Sequence, residues 1–120
     1  MSTNKLPEPK QGEVWLVDFN PTQGTEISKI RPAVVVSCDS VGKLPLRIVV
    51  PLTDWKSRYE AYPWFTVLTP SRQNGLSKNS GADGFQVKSI SCERFKQKLG
   101  CVAVAELEDI IVTITFCLGK

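Results

Sequence analysis

The sequence predicts a mainly β fold with short helices: a small, mostly antiparallel barrel with one helix at its C-terminal end. Short segments rich in β-branched and aromatic residues alternate with loops along most of the 120 residues. The final segment instead has apolar residues at helical spacing. The length, the hydrophobic share of 42% and the charged share of 22% are typical of one globular domain.

The first half of the chain predicts a tail and three strands. Residues 1–11 are polar and Pro-spaced, so we expect a flexible N-terminal tail before a single domain over residues 12–120. Segments rich in β-formers predict strands at residues 12–19, 32–37 and 46–53. The second of these is apolar on both faces, as expected of a central, buried strand. Pro51 interrupts the third, which requires an edge or a bulge there.

The second half predicts three further strands and the helix. The strands are expected at residues 62–69, 83–91 and 100–105, with a short helical turn at residues 93–98. In the last segment the β-branched run at residues 110–115 favours a strand. Acidic residues in the first turn, Gly119 at the end and apolar residues at helical spacing favour a helix over residues 106–118. The apolar residues are Leu107, Ile110, Ile111, Ile114 and Leu118.

The composition excludes several kinds of site. The chain has no histidine, which excludes Ser-His-Asp, Cys-His and two-histidine catalysis. Its four cysteines form no C-x-x-C pair, so we expect buried, reduced thiols and neither a metal site nor a cofactor; a zinc site made of all four cysteines is the alternative. There is no secretory signal and no apolar run of about 20 residues, so we expect a cytoplasmic protein that does not enter membranes.

Charge is distributed unevenly along the chain. Residues 28–100 carry twelve Lys and Arg against five Asp and Glu, a net charge of +7, whereas the segments before and after each carry −2. A basic middle predicts a surface that binds a polyanion such as nucleic acid. An ordinary solvated surface is the alternative that charge alone leaves open.

Four segments carry a family resemblance. GEVWLVDFNPTQGTE at residues 12–26 is followed by RPAVVVS at residues 31–37, VVPLT at residues 49–53 and QVKSI at residues 86–90. In this order and at these separations, the segments resemble the signatures of the MazF/PemK toxins of bacterial toxin–antitoxin modules. The likeness extends over roughly residues 12 to 118.

The resemblance implies a fold, an activity and partners. The fold would be the small SH3-like barrel of the CcdB/MazF/PemK type with a C-terminal helix, assembled as a homodimer. The activity would be a metal-independent endoribonuclease that cleaves single-stranded RNA at short sequence motifs. Attack by the 2′-OH would leave 2′,3′-cyclic phosphate and 5′-OH ends. A cognate antitoxin would neutralise the toxin by placing its disordered tail in the RNA groove.

Three residues are the candidates for catalysis. Arg31 and Thr53 match the family's catalytic Arg–Thr pair. A guanidinium fits phosphate geometry, and a hydroxyl can donate a hydrogen bond to the same phosphate. Glu26 matches a further family position and is the nearest carboxylate in sequence that could accept the 2′-OH proton. The alternatives are a surface ion pair for Arg31, a turn-capping hydroxyl for Thr53 and a solvated loop charge for Glu26.

One position departs from the family pattern. Some members have an aspartate, assigned as the base, immediately before the Gln of the QVKSI-like segment, where this chain has Phe85. Asp83, two residues earlier, would need a shift or bulge to replace it. Phe85 could instead stack on a base. The residues expected to bind RNA, by resemblance or because they interleave aromatic and cationic side chains, are Phe19, Trp55, Lys56, Arg58, Phe85, Gln86 and Lys88.

Two other functions compete with the nuclease. A gyrase-poisoning toxin of the CcdB type would share the architecture but bind a protein. A non-catalytic SH3-like module would bind nucleic acid without cleaving it. Arg31, Thr53 and the Gln86 segment favour the nuclease, whereas Phe85 keeps the binding module open.

Overall fold

The computed structural model describes residues 5–120, which form an antiparallel β sheet and a C-terminal helix. The strands are β1 (Glu13–Asp18), β2 (Ile30–Val35), β3 (Leu46–Asp54), β4 (Phe65–Leu68), β5 (Ser80–Asp83), β6 (Lys88–Ser91) and β7 (Phe95–Cys101), and the helix is α1 (Val104–Cys117). Single 3₁₀ turns occupy Asp39–Val41, Ser57–Ala61, Gly84–Gln86 and Cys92–Arg94. The predicted class, mainly β with short helices and a C-terminal helix, is confirmed.

The sheet has β3 and β2 at its centre. Its strand order is β4-β5-β3-β2-β1-β7, and β6 also pairs with β3, along the same edge as β5. All the pairings are antiparallel. Among the described strands, β4 and β7 lie at the two ends of the order and do not pair with each other, so the predicted barrel is not closed.

Pro51 lies inside β3, opposite Ala33 of β2. Val36 N donates to Ile48 O in the same ladder, so the alternation of antiparallel pairing points the Pro51 nitrogen away from β2. On that side β6 pairs with β3 only as far as Val49, and β5 only from Leu52 onward. The missing N–H therefore removes no hydrogen bond. The prediction of an edge or a bulge at Pro51 was wrong. Pro51 instead lies at a gap between β6 and β5, the two strands that pair with this side of β3.

The predicted strand at residues 83–91 was wrong as a single element. The turn Gly84–Gln86 divides it, and its first residue packs tightly under α1: a Cβ on Gly84 would lie 2.3 Å from Thr113 Oγ1. The predicted helical turn at residues 93–98 ends at Arg94. The strand expected at residues 100–105 is β7, which begins at Phe95 because it pairs along β1.

Two apolar clusters occupy the two sides of the central strands. Val34 and Val50 contribute to the cluster beneath α1, where Ile110 is fully buried. Their neighbours Ala33, Val35 and Val49 contribute to the other cluster, which includes Phe95 and Cys92. Successive residues of a strand point to opposite faces, so the apolar part of β2, Ala33 to Val35, contributes to both clusters, and the predicted central position of this strand is confirmed.

The C-terminal segment, whose composition favoured a strand and whose spacing favoured a helix, forms the helix α1. Its first turn is stabilised by Glu106, whose carboxylate accepts a hydrogen bond from Ala103 N at 2.9 Å. Burial of Ile110 and Thr113 against the sheet outweighs the strand preference of the β-branched run. None of the helices in residues 5–120 has the length and hydropathy that crossing a membrane requires.

The segment before β1 contacts the sheet. Residues 1–4 of the predicted tail lie outside the described residues. Pro9 is buried, and its carbonyl accepts a hydrogen bond from Arg47 Nε at 2.9 Å. Gln11 N donates to Asp39 Oδ1 at 2.8 Å. Neither contact could be predicted from the composition of residues 1–11.

The four cysteines are free. Burial was predicted for all of them, but Cys92 is buried, Cys101 and Cys117 are half-buried and Cys38 is exposed. The prediction was wrong for Cys38, because that residue lies beyond the end of β2, next to an exposed turn.

Candidate active site and nucleic-acid interface

Arg31 and Thr53 face each other across two central strands. Ala33 pairs with Pro51, and continuing that register by two residues brings Arg31 opposite Thr53. Both residues line one cleft of about 460 Å³. The pair expected from the sequence is therefore brought together by the ends of β2 and β3.

The Arg31 guanidinium is anchored at one end. Its Nε donates to Ser28 O at 2.8 Å, and its backbone pairs with Val17 of β1. Within residues 5–120 Arg31 forms no ion pair, so the surface ion pair considered from the sequence is not observed. The terminal amino groups of Arg31 have no hydrogen-bond partner in that part of the chain and can meet an anion in the cleft.

Two further cations and one carboxylate line the same cleft. Lys29 and Lys78 join Arg31, and Asp54 follows Thr53 at the end of β3. Lys78 Nζ lies 2.9 Å from Asp54 Oδ1, with about two thirds of each side chain exposed. The cleft thus holds three positive charges against one negative charge, a balance that attracts a phosphodiester.

The conformation of Lys29 is fixed by the loop between β1 and β2. Its φ is +72°, in the left-handed region that L side chains rarely adopt. Lys29 N donates to Asn20 Oδ1 at 3.0 Å, and Lys29 O accepts from Phe19 N at 3.0 Å. These contacts close the base of the loop and place its last residues at the rim of the cleft.

Glu26 does not line the cleft of Arg31 and Thr53. It lines a second pocket of about 310 Å³, which it shares with Phe19, Phe85, Gln86 and Lys88. Its carboxylate accepts from Gln23 N at 2.7 Å and lies 3.9 Å from Lys88 Nζ. The three predicted catalytic residues are therefore not brought into one cleft.

Gln86 ties the β1–β2 loop to the sheet. Its Oε1 accepts from Ile27 N at 2.8 Å, and its Nε2 donates to Thr25 O at 3.1 Å. Both ends of the amide are thus used within the protein. Gln86 fixes the loop that runs from the second pocket to the cleft.

Phe19 and Phe85 make different contributions to the second pocket. Phe19 is buried in the core cluster of Val35 and Phe95 and also lines the pocket. Phe85 is 63% exposed, and its ring contacts Trp64 edge-on with centroids 5.8 Å apart. An exposed ring held in place by a second ring is suited to stack on a nucleobase.

The predicted RNA-binding group at residues 55–58 lies outside both pockets. Trp55 contacts Tyr59 edge-on, and Arg58 lies over the Tyr59 ring at 5.3 Å from its centroid. Tyr59 stacks on Phe65 with centroids 4.0 Å apart. Lys56 is exposed next to them. These aromatic rings pack on one another.

Asp83 does not line the cleft of Arg31 and Thr53. It is 9% exposed, and its Oδ1 accepts from Phe85 N at 3.1 Å, which caps the turn. Burial raises the pKa of this carboxyl above its ordinary value. Asp83 therefore supports the turn that presents Phe85 and is not among the residues lining the cleft.

Sequence reasoning missed Lys29, Asp54 and Lys78. Asp54 directly follows Thr53, and its place at a strand end was a signal that could have been used. Lys78 offered no signal, because it lies in the loop before β5 and reaches the cleft only through the pairing of β5 with β3.

Comparisons with known proteins identify relatives over nearly the whole chain. Residues 10–117 match the family described as PemK-like, MazF-like toxin of type II toxin-antitoxin system. The endoribonuclease MazF9 of Mycobacterium tuberculosis is 36% identical over 107 residues, which cover 84% of this chain and 88% of the relative. The endoribonuclease toxin MazF of Escherichia coli K12 is 36% identical over 113 residues, which cover 92% and 95%.

Solved structures show the same fold. The crystal structure of MazF from Deinococcus radiodurans superposes with a TM-score of 0.77 at 23% identity, covering 93% of this chain and 97% of that one. A mycobacterial endoribonuclease in complex with its cognate antitoxin superposes with a TM-score of 0.71 at 19% identity, covering 92% and 95%.

Proposed function

The chain belongs to the family of PemK-like, MazF-like toxins of type II toxin–antitoxin systems, and from that premise we propose that it is a sequence-specific endoribonuclease that cleaves single-stranded RNA without a metal ion. The observation that carries the proposal is the cleft in which Arg31 and Thr53 face each other between β2 and β3. Curated relatives at 36% identity are endoribonucleases.

The proposed reaction uses the substrate's own ribose. The 2′-oxygen attacks the adjacent phosphorus, the P–O5′ bond breaks, and the products carry 2′,3′-cyclic phosphate and 5′-OH ends. Arg31 stabilises the charge that develops on the non-bridging oxygens, and Thr53 donates a hydrogen bond to the same phosphate. A guanidinium stays protonated at neutral pH, so Arg31 is suited to stabilise charge and not to accept the 2′-OH proton.

Lys29 and Lys78 would hold the flanking phosphates. Both line the cleft beside Arg31. Lysines bind phosphates as point charges and contribute affinity without reading sequence. Sequence selection then falls to exposed rings such as Phe85, which can stack on an unpaired base.

The proposed partners are a cognate antitoxin and a second copy of the chain. The antitoxin is supported by the mycobacterial structural neighbour, an endoribonuclease in complex with its cognate antitoxin. The outer face of α1 supports the homodimer, because it exposes apolar side chains that the sheet does not cover. These side chains are Val104, Ile111, Val112 and Phe116.

Incubation with a long, mixed-sequence single-stranded RNA in EDTA tests the proposal. We expect discrete fragments with 2′,3′-cyclic phosphate ends. An RNA carrying a 2′-deoxyribose at the cleaved position should stay intact. Retarded migration without cleavage by the folded protein would instead identify a nucleic-acid-binding module. Neither cleavage nor retardation would favour a protein-binding toxin of the CcdB type.

A further inference from the structure

The proposed reaction needs a group that accepts the 2′-OH proton. The carboxylates considered from the sequence do not line the cleft of Arg31 and Thr53. Glu26 lies in the second pocket, where Gln23 N and Lys88 use its oxygens. Asp83 is buried and caps the turn before Phe85. At the position where some family members were expected to carry an aspartate, this chain has Phe85. None of these groups lines the cleft where the phosphate would lie.

Asp54 is the one carboxylate that lines this cleft within residues 5–120. It directly follows Thr53 at the end of β3, and its backbone pairs with Ser80 of β5. One carboxylate oxygen is held 2.9 Å from Lys78 Nζ. The other has no partner in the described part of the chain, so it can accept a proton from a bound substrate.

We infer that Asp54 is the general base of this protein, an inference that rests on the proposed function. Its free oxygen takes the proton of the 2′-OH as the 2′-oxygen forms its bond to phosphorus. The P–O5′ bond breaks with its electron pair on the 5′-oxygen, which takes a proton from water in the open cleft. Asp54 then returns its proton to water, so the reaction neither gains nor loses atoms.

Lys78 forms an ion pair with the Asp54 carboxylate. Lys78 pairs with one oxygen, and the other is free at a residue that lines the same cleft as Arg31 and Thr53. Carboxylates are proton acceptors at neutral pH, and a positioned base contributes about 10²-fold or more to the rate. Among the residues lining the cleft, the remaining ionisable groups are cations.

Asp54→Asn tests this inference, because the side chain is exposed and the amide preserves its shape. We expect the single-turnover cleavage rate to fall about 10²-fold at pH 7 while RNA binding is kept or improved, since the cleft loses its negative charge. Glu93→Gln is the matched control: it neutralises an exposed carboxylate outside the cleft and should cleave like the wild type.

The pH dependence provides a second readout. Lys29, Arg31 and Lys78 are the charged groups that line the cleft around Asp54, and they are unchanged in Asp54→Asn. Without a base the reaction depends on hydroxide, so the rate of the variant should rise by about tenfold per pH unit between pH 6 and 8. The wild type should show a shallower slope.

The outcomes separate this inference from the function on which it rests. A wild-type protein that cleaves RNA, with Asp54→Asn within about threefold of its rate, would overturn the assignment of Asp54 and leave the nuclease intact. A folded wild-type protein that cleaves no RNA would overturn both.

Discussion

Gly84→Ala should destabilise the protein, because Gly84 packs against α1 without room for a side chain. A Cβ there would lie 2.3 Å from Thr113 Oγ1 and 3.1 Å from both Thr113 Cβ and Trp64 O. Ordinary contact begins near 3.4 Å, so the hydroxyl would have to retreat by about 1 Å. It is held by a hydrogen bond to Ile110 O and cannot rotate freely.

The expected cost follows from these contacts. Overpacking a tight core costs about 1–3 kcal/mol, and replacing Gly with Ala recovers about 0.4–1 kcal/mol through the unfolded chain. We therefore expect Gly84→Ala to lower the free energy of unfolding by about 1–2 kcal/mol. In a Thr113→Ala background the nearest atom is gone, and the additional cost should fall below about 0.5 kcal/mol.

Urea unfolding of the four proteins in this double-mutant cycle measures the coupling. Thr115→Ala is the control, because Thr115 Oγ1 also donates to a helix carbonyl, that of Ile111, but is exposed and away from Gly84. Gly84→Ala should cost the same with or without Thr115→Ala. Equal stability of Gly84→Ala and the wild type, or additive effects with Thr113→Ala, would refute the packing argument.

Two further predictions concern the buried carboxyl and the outer face of the helix. Burial raises the pKa of Asp83 above its ordinary value of 3.8, so its folded form favours the proton. The free energy of unfolding of the wild type, compared with that of Asp83→Asn, should therefore decline as the pH rises from below 3.8 through the pKa of the folded protein. Urea unfolding of both proteins at a series of pH values measures this. The same pH dependence in both would contradict the prediction. Val112 is 65% exposed on α1, so we expect Val112→Glu to convert the proposed dimer to a folded monomer. Sedimentation at micromolar concentration measures the change. A wild type that is already monomeric there would reject the dimer.

Composition was sufficient to predict the strand core, and the family resemblance was sufficient to place Arg31 and Thr53 in one site. Local composition predicts β2 and β3, and the antiparallel register that joins them brings the beginning of one strand to the end of the other. The apolar spacing around Ile110 likewise predicts α1, because burial of that face outweighs its β-branched composition.

The remaining features depend on contacts that are distant in sequence. Gly84 breaks a predicted strand because of a helix residue 29 positions later. Glu26 was expected beside Arg31, but the loop that carries it is held by Gln86, about 60 residues away, over a separate pocket. Lys78 and Asp54 meet only after β5 pairs with β3. Composition and spacing contain no information about these contacts.

The most direct test of the proposed nuclease is the single-turnover cleavage rate of single-stranded RNA in EDTA, compared among the wild type, Arg31→Ala and Thr53→Ala. We predict discrete fragments from the wild type and a rate loss of about 10²-fold or more in each variant, because each removes a group that contacts the reacting phosphate. Cleavage by both variants at the wild-type rate would contradict the placement of the active site in this cleft, and no cleavage by the folded wild type would contradict the nuclease itself.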